Sequence, residues 1–226
     1  MIPFAITYCP ICDYHSVALS SGALCIRMDG NWNKITGKGY CPPVFYSNDF
    51  SAGAGAEWTN PTISTANGES FLAAASYGSG NGTNSLRLSG LPEHTKVTVA
   101  FDLYIIQSWD GNGGGADNWQ LTVGETGAEQ PFFLLFTNFT NNTATTQAYP
   151  NQLPPYGDGG SFAPRTGAFE NGHLDFGTGS WGDATYRFSF TFDHSASDIF
   201  LNFTGLQNQA ASDEGWGLDN VKVSVN

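Results

Sequence analysis

The sequence has few charged residues, and most of those are acidic. Charged residues make up 12% of the chain, and eight Lys and Arg against 20 Asp and Glu give a formal net charge of −12. Nucleic acids and anionic membranes bind proteins through clustered cations, so this composition argues against both as partners. No apolar run approaches the ~20 residues of a membrane span. Cations are the ligands that the composition favours.

Catalytic motifs are also missing. The chain contains neither a Gly-x-Ser-x-Gly elbow nor a His-Glu-x-x-His motif. Gly111-x-Gly113-x-x-Ala116 has the spacing of a dinucleotide loop, but it leads into the strand WQLTV rather than a helix. The histidines lack ligand or relay spacing, and we interpret them as surface or turn residues: His15, His94, His173 and His194. The sequence therefore predicts a protein that is not an enzyme.

Cysteine is absent after residue 41, and all four cysteines precede it: Cys9, Cys12, Cys25 and Cys41. We expect two disulfides, because the chain looks secreted. ALCIRMDGNWNKITGKGYC has the pattern of a strand, a DGN turn and a return strand, which favours Cys25 with Cys41 and leaves Cys9 with Cys12. Sequence alone does not fix the pairing. A zinc site that also uses His15 is the alternative.

Two-residue alternation of apolar side chains is clear, whereas helical periodicity is weak. Val97 to Ile105, Tyr186 to Phe192 and Ile199 to Phe203 alternate as half-buried strands do. Shorter strands are predicted at residues 44–50, 85–91, 119–123, 131–137 and 221–225. These strands and the glycine-rich turns between them predict an all-β protein, an antiparallel β-sandwich of jelly-roll type.

The chain divides into an N-terminal cysteine-bearing extension, residues 1–43, and a sandwich domain, residues 44–226. Cys41-Pro-Pro forms a stiff joint between them. The first residues, MIPFAITYCPIC, alternate in polarity and lack the regions of a signal peptide, so we expect a mature chain or one that lacks its true N-terminus. The extension is predicted to be an arm that adds a strand to a neighbouring subunit. A disulfide-tied knob on its own domain is the alternative.

Two glycine-rich loops combine acidic side chains with tryptophan, SWDGNGGGADNW at 108–119 and DEGWGLDN at 213–220. Oxygen ligands on a flexible backbone are what Ca²⁺ requires, so these loops predict a calcium site if they meet at one end of the sandwich. The candidate ligands are Asp110, Asn112, Asp117, Asp213 and Glu214. The alternative is that these side chains only cap turns.

Aromatic and asparagine residues supply two further sets of candidates. Tryptophans that would stack against sugars are Trp109, Trp119, Trp181 and Trp216, although large aromatics are more often core residues. Sequons for N-glycosylation occur at Asn81, Asn138, Asn141 and Asn202, although an Asn- and Thr-rich chain produces such triplets by chance. Residues 150–183 form a long segment without strand periodicity, which we expect to be packed by its own aromatics or to be functional.

Three motifs together resemble a family of secreted bacterial β-sandwich domains found in PEP-CTERM-type surface proteins. They are YSNDF with Trp58, FDLYIIQSWDGN with DNWQLTV, and DEGWGLDNVKV, and the resemblance covers about residues 44–226. It implies a fold similar to lectin-like and carbohydrate-binding jelly rolls. The extension is similar instead to the arms of extracellular fibril subunits. We therefore predict an extracellular structural subunit that assembles with identical subunits. A secreted Ca²⁺-dependent carbohydrate-binding module, with glycans as partners, is the alternative.

Overall fold

The computed structural model describes residues 16–20, 23–28, 31–34, 44–73, 80–115, 117–126, 131–177 and 181–226. These residues lie mainly in β-strands, and none of them belongs to an α-helix, so none forms a helix that could cross a membrane. The chain divides into two compact units, Met1–Val44 and Phe45–Asn226.

The first unit contains a three-stranded antiparallel sheet in the order β1, β2, β3. Its strands are β1 (Ser16–Ser20), β2 (Ala23–Met28) and β3 (Asn31–Lys34). Met28 pairs with Asn31 and Cys25 with Lys34, so the predicted strand and return strand are confirmed. The four thiols lie outside the described part of the chain, and so does the start of the predicted arm, residues 1–15. The disulfides, the zinc alternative and the arm therefore stay predictions.

The described residues of the second unit form eleven strands in chain order. They are β4 (Val44–Asn48), β5 (Ile63–Ala66), β6 (Glu69–Leu72), β7 (Gly82–Ser89), β8 (Lys96–Gln107), β9 (Asn118–Gly124), β10 (Phe132–Asn138), β11 (Glu170–Asn171), β12 (Asp183–Asp193), β13 (Asp198–Leu206) and β14 (Glu214–Val225). One sheet has the order β10-β9-β13-β7, and the other has the order β11-β12-β8-β14-β6-β5 with β4 also paired to β14. The unit is thus an antiparallel β-sandwich, as predicted, and the chain changes sheets at most connections, as in a jelly roll.

The core between the sheets is built from the alternating residues that the sequence singles out. Val97, Val99 and Phe101 of β8 are buried in it. The Phe101 ring lies 6.0 Å from the Trp119 ring and 5.2 Å, edge to face, from the Phe203 ring. Burying one such aromatic side chain stabilises the fold by roughly 1.5–3 kcal/mol. A one-residue register slip would turn this set outward, so the core fixes the register of β8.

A smaller cluster covers the outer face of the larger sheet. Phe71, Tyr104 and Ile106 are buried there beneath Leu174, which belongs to the long segment after β10. In the same segment Tyr156 stacks on Phe133 of β10, with ring centroids 4.3 Å apart. Aromatic and apolar residues of residues 150–183 therefore pack on the sandwich, whereas the sequence favours packing of the segment on itself.

Candidate functional site

The loop after β8 is anchored in the core by its first tryptophan. Nε1 of Trp109 donates to the Gly215 carbonyl at 2.7 Å, and the Trp109 carbonyl accepts from Oγ1 of Thr140 at 2.6 Å. Gly111 has φ +56°, and a Cβ at this position would lie 2.4 Å from the Thr146 carbonyl oxygen. Only glycine fits such a left-handed position against a neighbouring backbone. These contacts hold Trp109 and Gly111 against residues 140–146 and against the start of β14.

Three acids from the two predicted loops meet at this end of the sandwich. Asp110, Asp117 and Glu214 each place one carboxylate oxygen within 4.8 Å of the other two. Asp117 and Glu214 are completely buried, and Asp110 is half-buried. We call these three residues the acidic triad. Burying a carboxylate without a compensating charge is costly, so a buried carboxyl either holds a proton or pairs with a cation.

The donors around the acidic triad are neutral. Oδ2 of Asp117 accepts from the Asp110 N–H at 2.6 Å, and Oδ1 of Asp110 accepts from Nδ2 of Asn142 at 2.8 Å. Glu214 accepts from the backbone and the side-chain amide of Gln209 at 3.1 and 2.8 Å. Oδ1 of Asp117 is buried and has no hydrogen-bond donor. No ion pair in the described part of the chain involves the triad.

Burial dominates the electrostatics of the triad. It raises the pKa of Asp117 to about 7, although the hydrogen bond from the Asp110 N–H opposes the shift. The neighbouring carboxylates of Glu214 and Asp110 raise this pKa further. Ionised Asp117 therefore lacks a counter-charge, and a divalent cation would supply one. Carboxylate oxygens are the ligands that Ca²⁺ prefers.

The other two predicted calcium ligands are used elsewhere in the loops. Oδ1 of Asp213 accepts from the Ser108 hydroxyl at 2.7 Å, and Asp213 lies outside the triad. Nδ2 of Asn112 donates to the Gly160 carbonyl at 2.8 Å, and its Oδ1 accepts from Asn138 at 2.9 Å. Both side chains tie distant loop segments together, whereas the alternative interpretation expects them to cap their own turns.

Three of the four predicted sugar-stacking tryptophans are core residues. Trp109, Trp119 and Trp216 are at most 1% exposed, so they offer no ring face to a sugar and are not stacking platforms in this fold. Nε1 of Trp216 donates to the Gly80 carbonyl at 2.9 Å, which pins the segment before β7. Trp181 is 54% exposed and stays a stacking candidate.

The four sequons lie in different environments. The side-chain amide of Asn141 is buried and donates to three carbonyls, those of Ile105, Gln107 and Gly182. Asn138 is also buried. A glycan on either nitrogen would require these sites to unfold, so the folded chain does not support modification there. Asn202 is half-buried, whereas Asn81 is exposed.

The sequence analysis does not identify a histidine pair that lies at the end of the sandwich opposite the acidic triad. His94 and His194 are 7% and 8% exposed, so the prediction of surface or turn residues is wrong for their side chains. Nδ1 of His94 lies 2.6 Å from the Pro92 carbonyl, and its Nε2 lies 2.8 Å from Nδ1 of His194. Lys96 of β8 pairs with Asp193 of β12. This pairing brings His94 and His194, which lie just beyond the two paired residues, close together. The strand pairing is therefore the signal that could have found them.

An open cleft of about 420 Å³ lies beside His194. Its lining comes from the ends of β9, β10 and β12, from residues next to them and from the residue before β8: Thr95, Val123, Gly124, Glu125, Phe132, Asp193, His194 and Ser195. Nε2 of His194 lies 3.4 Å from the Glu125 carboxylate. Burial lowers the pKa of His194, and neighbouring His94 lowers it further. We call this feature the His194 cleft.

A second polar network lies under the outer face of the larger sheet. Asp102 is bound by Arg187 through two nitrogens, at 2.8 and 3.2 Å. Asp219 is 3% exposed and accepts from the Tyr104 hydroxyl at 3.1 Å. Burial raises the pKa of Asp219 to about 6. This network is structural, because its acids already have donors on the sheet.

Comparisons with known proteins give remote structural neighbours. No protein-family model and no curated protein sequence matches the chain. The K3 adhesin domain of Lys-gingipain from Porphyromonas gingivalis w83 is 13% identical with a TM-score of 0.43, over 81% of this chain and 100% of that one. A carbohydrate-binding module specific for non-crystalline cellulose, CBM28, is 15% identical with a TM-score of 0.40, over 78% and 92%.

A third neighbour is the carbohydrate-binding module of Cellvibrio mixtus lichenase 5A, solved with cellotriose. It is 10% identical with a TM-score of 0.35, over 81% of this chain and 99% of that one. The neighbours are thus adhesin and carbohydrate-binding domains, at a similarity too low to carry function. The resemblance to PEP-CTERM-type domains stays a prediction.

Proposed function

We propose that residues 45–226 form an extracellular, non-catalytic binding module that holds Ca²⁺ at the acidic triad. The observation that carries this proposal is the burial of Asp117 and Glu214 beside Asp110, with none of the ion pairs among the described residues reaching them. The unbonded Oδ1 of Asp117 supports it independently, because a buried oxygen with no donor is costly unless a ligand satisfies it. Two loops far apart in sequence supply the acids, so the ion would also crosslink the loop end of the module.

The triad provides part of a calcium coordination sphere. Ca²⁺ takes about six to eight oxygen ligands, and carboxylates bind it through one or both oxygens. Asp110, Asp117 and Glu214 would supply the protein carboxylates, and water and loop carbonyls would complete the sphere. Asp213 and Asn112 are left out, because their side chains are bonded to Ser108 and to Asn138 and Gly160.

Calcium titration tests this proposal directly. Protein stripped of metal should bind one Ca²⁺ per chain by isothermal titration calorimetry, and Asp117→Asn should abolish the binding heat. Asp213→Asn is the matched control, because it removes a carboxylate from the same loops but outside the triad, and it should bind as the wild type does. Equal calcium binding by wild type and Asp117→Asn would exclude the triad as the site.

We also propose carbohydrate as the ligand of the module. The His194 cleft supports this choice, because it combines an exposed aromatic ring with hydrogen-bonding groups in a volume suited to a small ligand. A microarray of neutral oligosaccharides, probed with the full chain, tests it. Absence of binding to every arrayed glycan would contradict this part of the proposal.

The filament hypothesis has one supporting observation. Residues 188–193 of β12 pair with β8 on one side, and on the other side β12 pairs with β11 only at Ala184 and Thr185 among the described residues. Such an open edge can accept an added strand. Negative-stain microscopy of the full chain and of a chain lacking residues 1–43 tests this hypothesis. Fibres formed by the full chain but not by the shortened chain would establish assembly through the arm. Monomers in both would refute it.

A further inference from the structure

We propose that the His194 cleft binds a neutral saccharide, with a sugar face on the Phe132 ring and two adjacent sugar hydroxyls donating to Glu125 and His194. The inference rests on the proposed carbohydrate-binding function and locates it at the end of the domain opposite the acidic triad. None of the four tryptophans predicted from the sequence contributes to it.

Phe132 provides the apolar surface of the cleft. Its side chain is 45% exposed, and its ring lies edge to face against Phe192, with centroids 5.4 Å apart at 72°. The ring is thus held in place by the domain while one part stays open to solvent. Ligand clefts of about 300–1,000 Å³ combine such aromatic surface with a few placed polar groups. The volume of about 420 Å³ is in this range.

The histidine pair fixes which ring nitrogen of His194 has the free lone pair. The Pro92 carbonyl can only accept, so Nδ1 of His94 carries the proton in their 2.6 Å contact. Nε2 of His94 must then accept from Nδ1–H of His194, which lies 2.8 Å away. Nε2 of His194 is therefore unprotonated in the neutral pair. It is buried and has no hydrogen-bond donor.

Two acceptors thus lie side by side at the cleft. Nε2 of His194 is 3.4 Å from Oε2 of Glu125, and burial and neighbouring His94 lower the pKa of His194 although the Glu125 charge opposes the shift. Neither atom can satisfy the other, since both only accept. Leaving a buried acceptor unsatisfied costs about 1–3 kcal/mol. A ligand with two neighbouring hydroxyl donors satisfies both, and vicinal hydroxyls are the common feature of sugars.

The charges around the cleft select among sugars. Glu125 and Asp193 line it, and Lys96 is paired with Asp193. The chain as a whole carries a net charge of −12. A carboxylated or sulfated sugar would therefore be repelled, and a neutral sugar would not.

Four single variants of the full chain test the assignment. Affinity for the strongest hit of the neutral-oligosaccharide microarray is measured by calorimetry, with thermal melting to confirm folding. Phe132→Ala and Glu125→Gln should each weaken binding about tenfold or more, because one loses the stacking surface and the other a charged acceptor. Trp181→Ala and Glu170→Gln are the matched controls, an exposed aromatic and an exposed acid at the other end of β12, and both should leave the affinity unchanged.

The outcomes separate the site from the function. Binding that survives Phe132→Ala and Glu125→Gln overturns the assignment while the carbohydrate function stands, and loss of binding in Trp181→Ala would move the site to that tryptophan. If wild type binds no arrayed oligosaccharide, the carbohydrate function falls and the assignment falls with it. If Phe132→Ala fails to fold, Glu125→Gln decides alone, because it alters a partly exposed side chain.

Discussion

In the calcium-free wild type, ionisation of Asp117 should destabilise the fold as pH rises, and calcium should reverse this loss. Replacing Asp117 with Asn should remove both effects. In the calcium-free folded protein the Asp117 carboxyl has a pKa of about 7, whereas its ordinary value is 3.8. Between these values the folded chain holds a proton that the unfolded chain has lost, so the free energy of unfolding falls as pH rises. A shift of about three pKa units corresponds to about 4 kcal/mol.

The assay is thermal melting at about pH 5 and about pH 8, each with EDTA and with millimolar calcium. Between these two pH values the loss amounts to about two pKa units, or about 2.7 kcal/mol. In a domain of this size 1 kcal/mol shifts Tm by about 2–4 °C, so Asp117 should lower Tm by roughly 5–10 °C in EDTA. Calcium should restore the loss at about pH 8, because it binds the folded state only. Asp117→Asn should show neither this part of the decrease in Tm nor the rise in Tm with calcium, whereas Asp213→Asn should show both.

Two results would refute this reasoning. The first is an equal decrease of Tm between the two pH values for wild type and Asp117→Asn in EDTA, which would mean that Asp117 is not the titrating group. The second is an equal rise of Tm with calcium in both proteins, which would place the ion elsewhere. Metal analysis of the EDTA-treated samples is the necessary control, since residual calcium would hide the pH effect.

The remaining predictions concern a buried acid and the sequons. Burial raises the pKa of Asp219 to about 6, so this carboxyl should cost the wild type up to about 3 kcal/mol of unfolding free energy as pH rises from about 4 to about 6, and Asp219→Asn should lack this part of the loss. Urea unfolding at several pH values measures this, and exposed Asp49→Asn should match the wild type. In a glycosylating host, peptide mapping should find sugar on exposed Asn81 and none on Asn138 or Asn141. A glycan on Asn141 would contradict its burial.

The sandwich could be predicted because its long strands alternate. β8 and β12 place one apolar face on the core, and that face is visible in the sequence as a two-residue period. β5, β6 and β11 are missed because they have four, four and two residues, too few to show a period. Their place in the sheet comes from pairing with neighbours, as Leu218 of β14 pairs with Leu72 of β6.

The acidic loops could be predicted in part. Acidic side chains in glycine-rich segments identify candidate ligands, but the sequence does not give the distances between their carboxylates. Asp117 and Glu214 are 97 positions apart by residue number, and only the fold decides that they meet while Asp213 turns to Ser108. The tryptophans mislead for a related reason. Trp109 and Trp216 flank the loops in sequence, yet their rings anchor those loops in the core through Gly215 and Gly80.

The two proposed sites lie at opposite ends of the same strands, and this separation limits what calcium can do. β12 runs from Asp183, beside the loop end, to Asp193 at the His194 cleft, ten steps of about 3.3 Å or roughly 33 Å. At that distance an ion at the triad contacts no ligand in the cleft, and solvent ions screen its field beyond about 8–10 Å. If sugar binding depends on calcium, calcium should therefore act by raising the fraction of the protein that is folded. The requirement for calcium should be set by temperature and pH, since these decide how much stability the triad must supply.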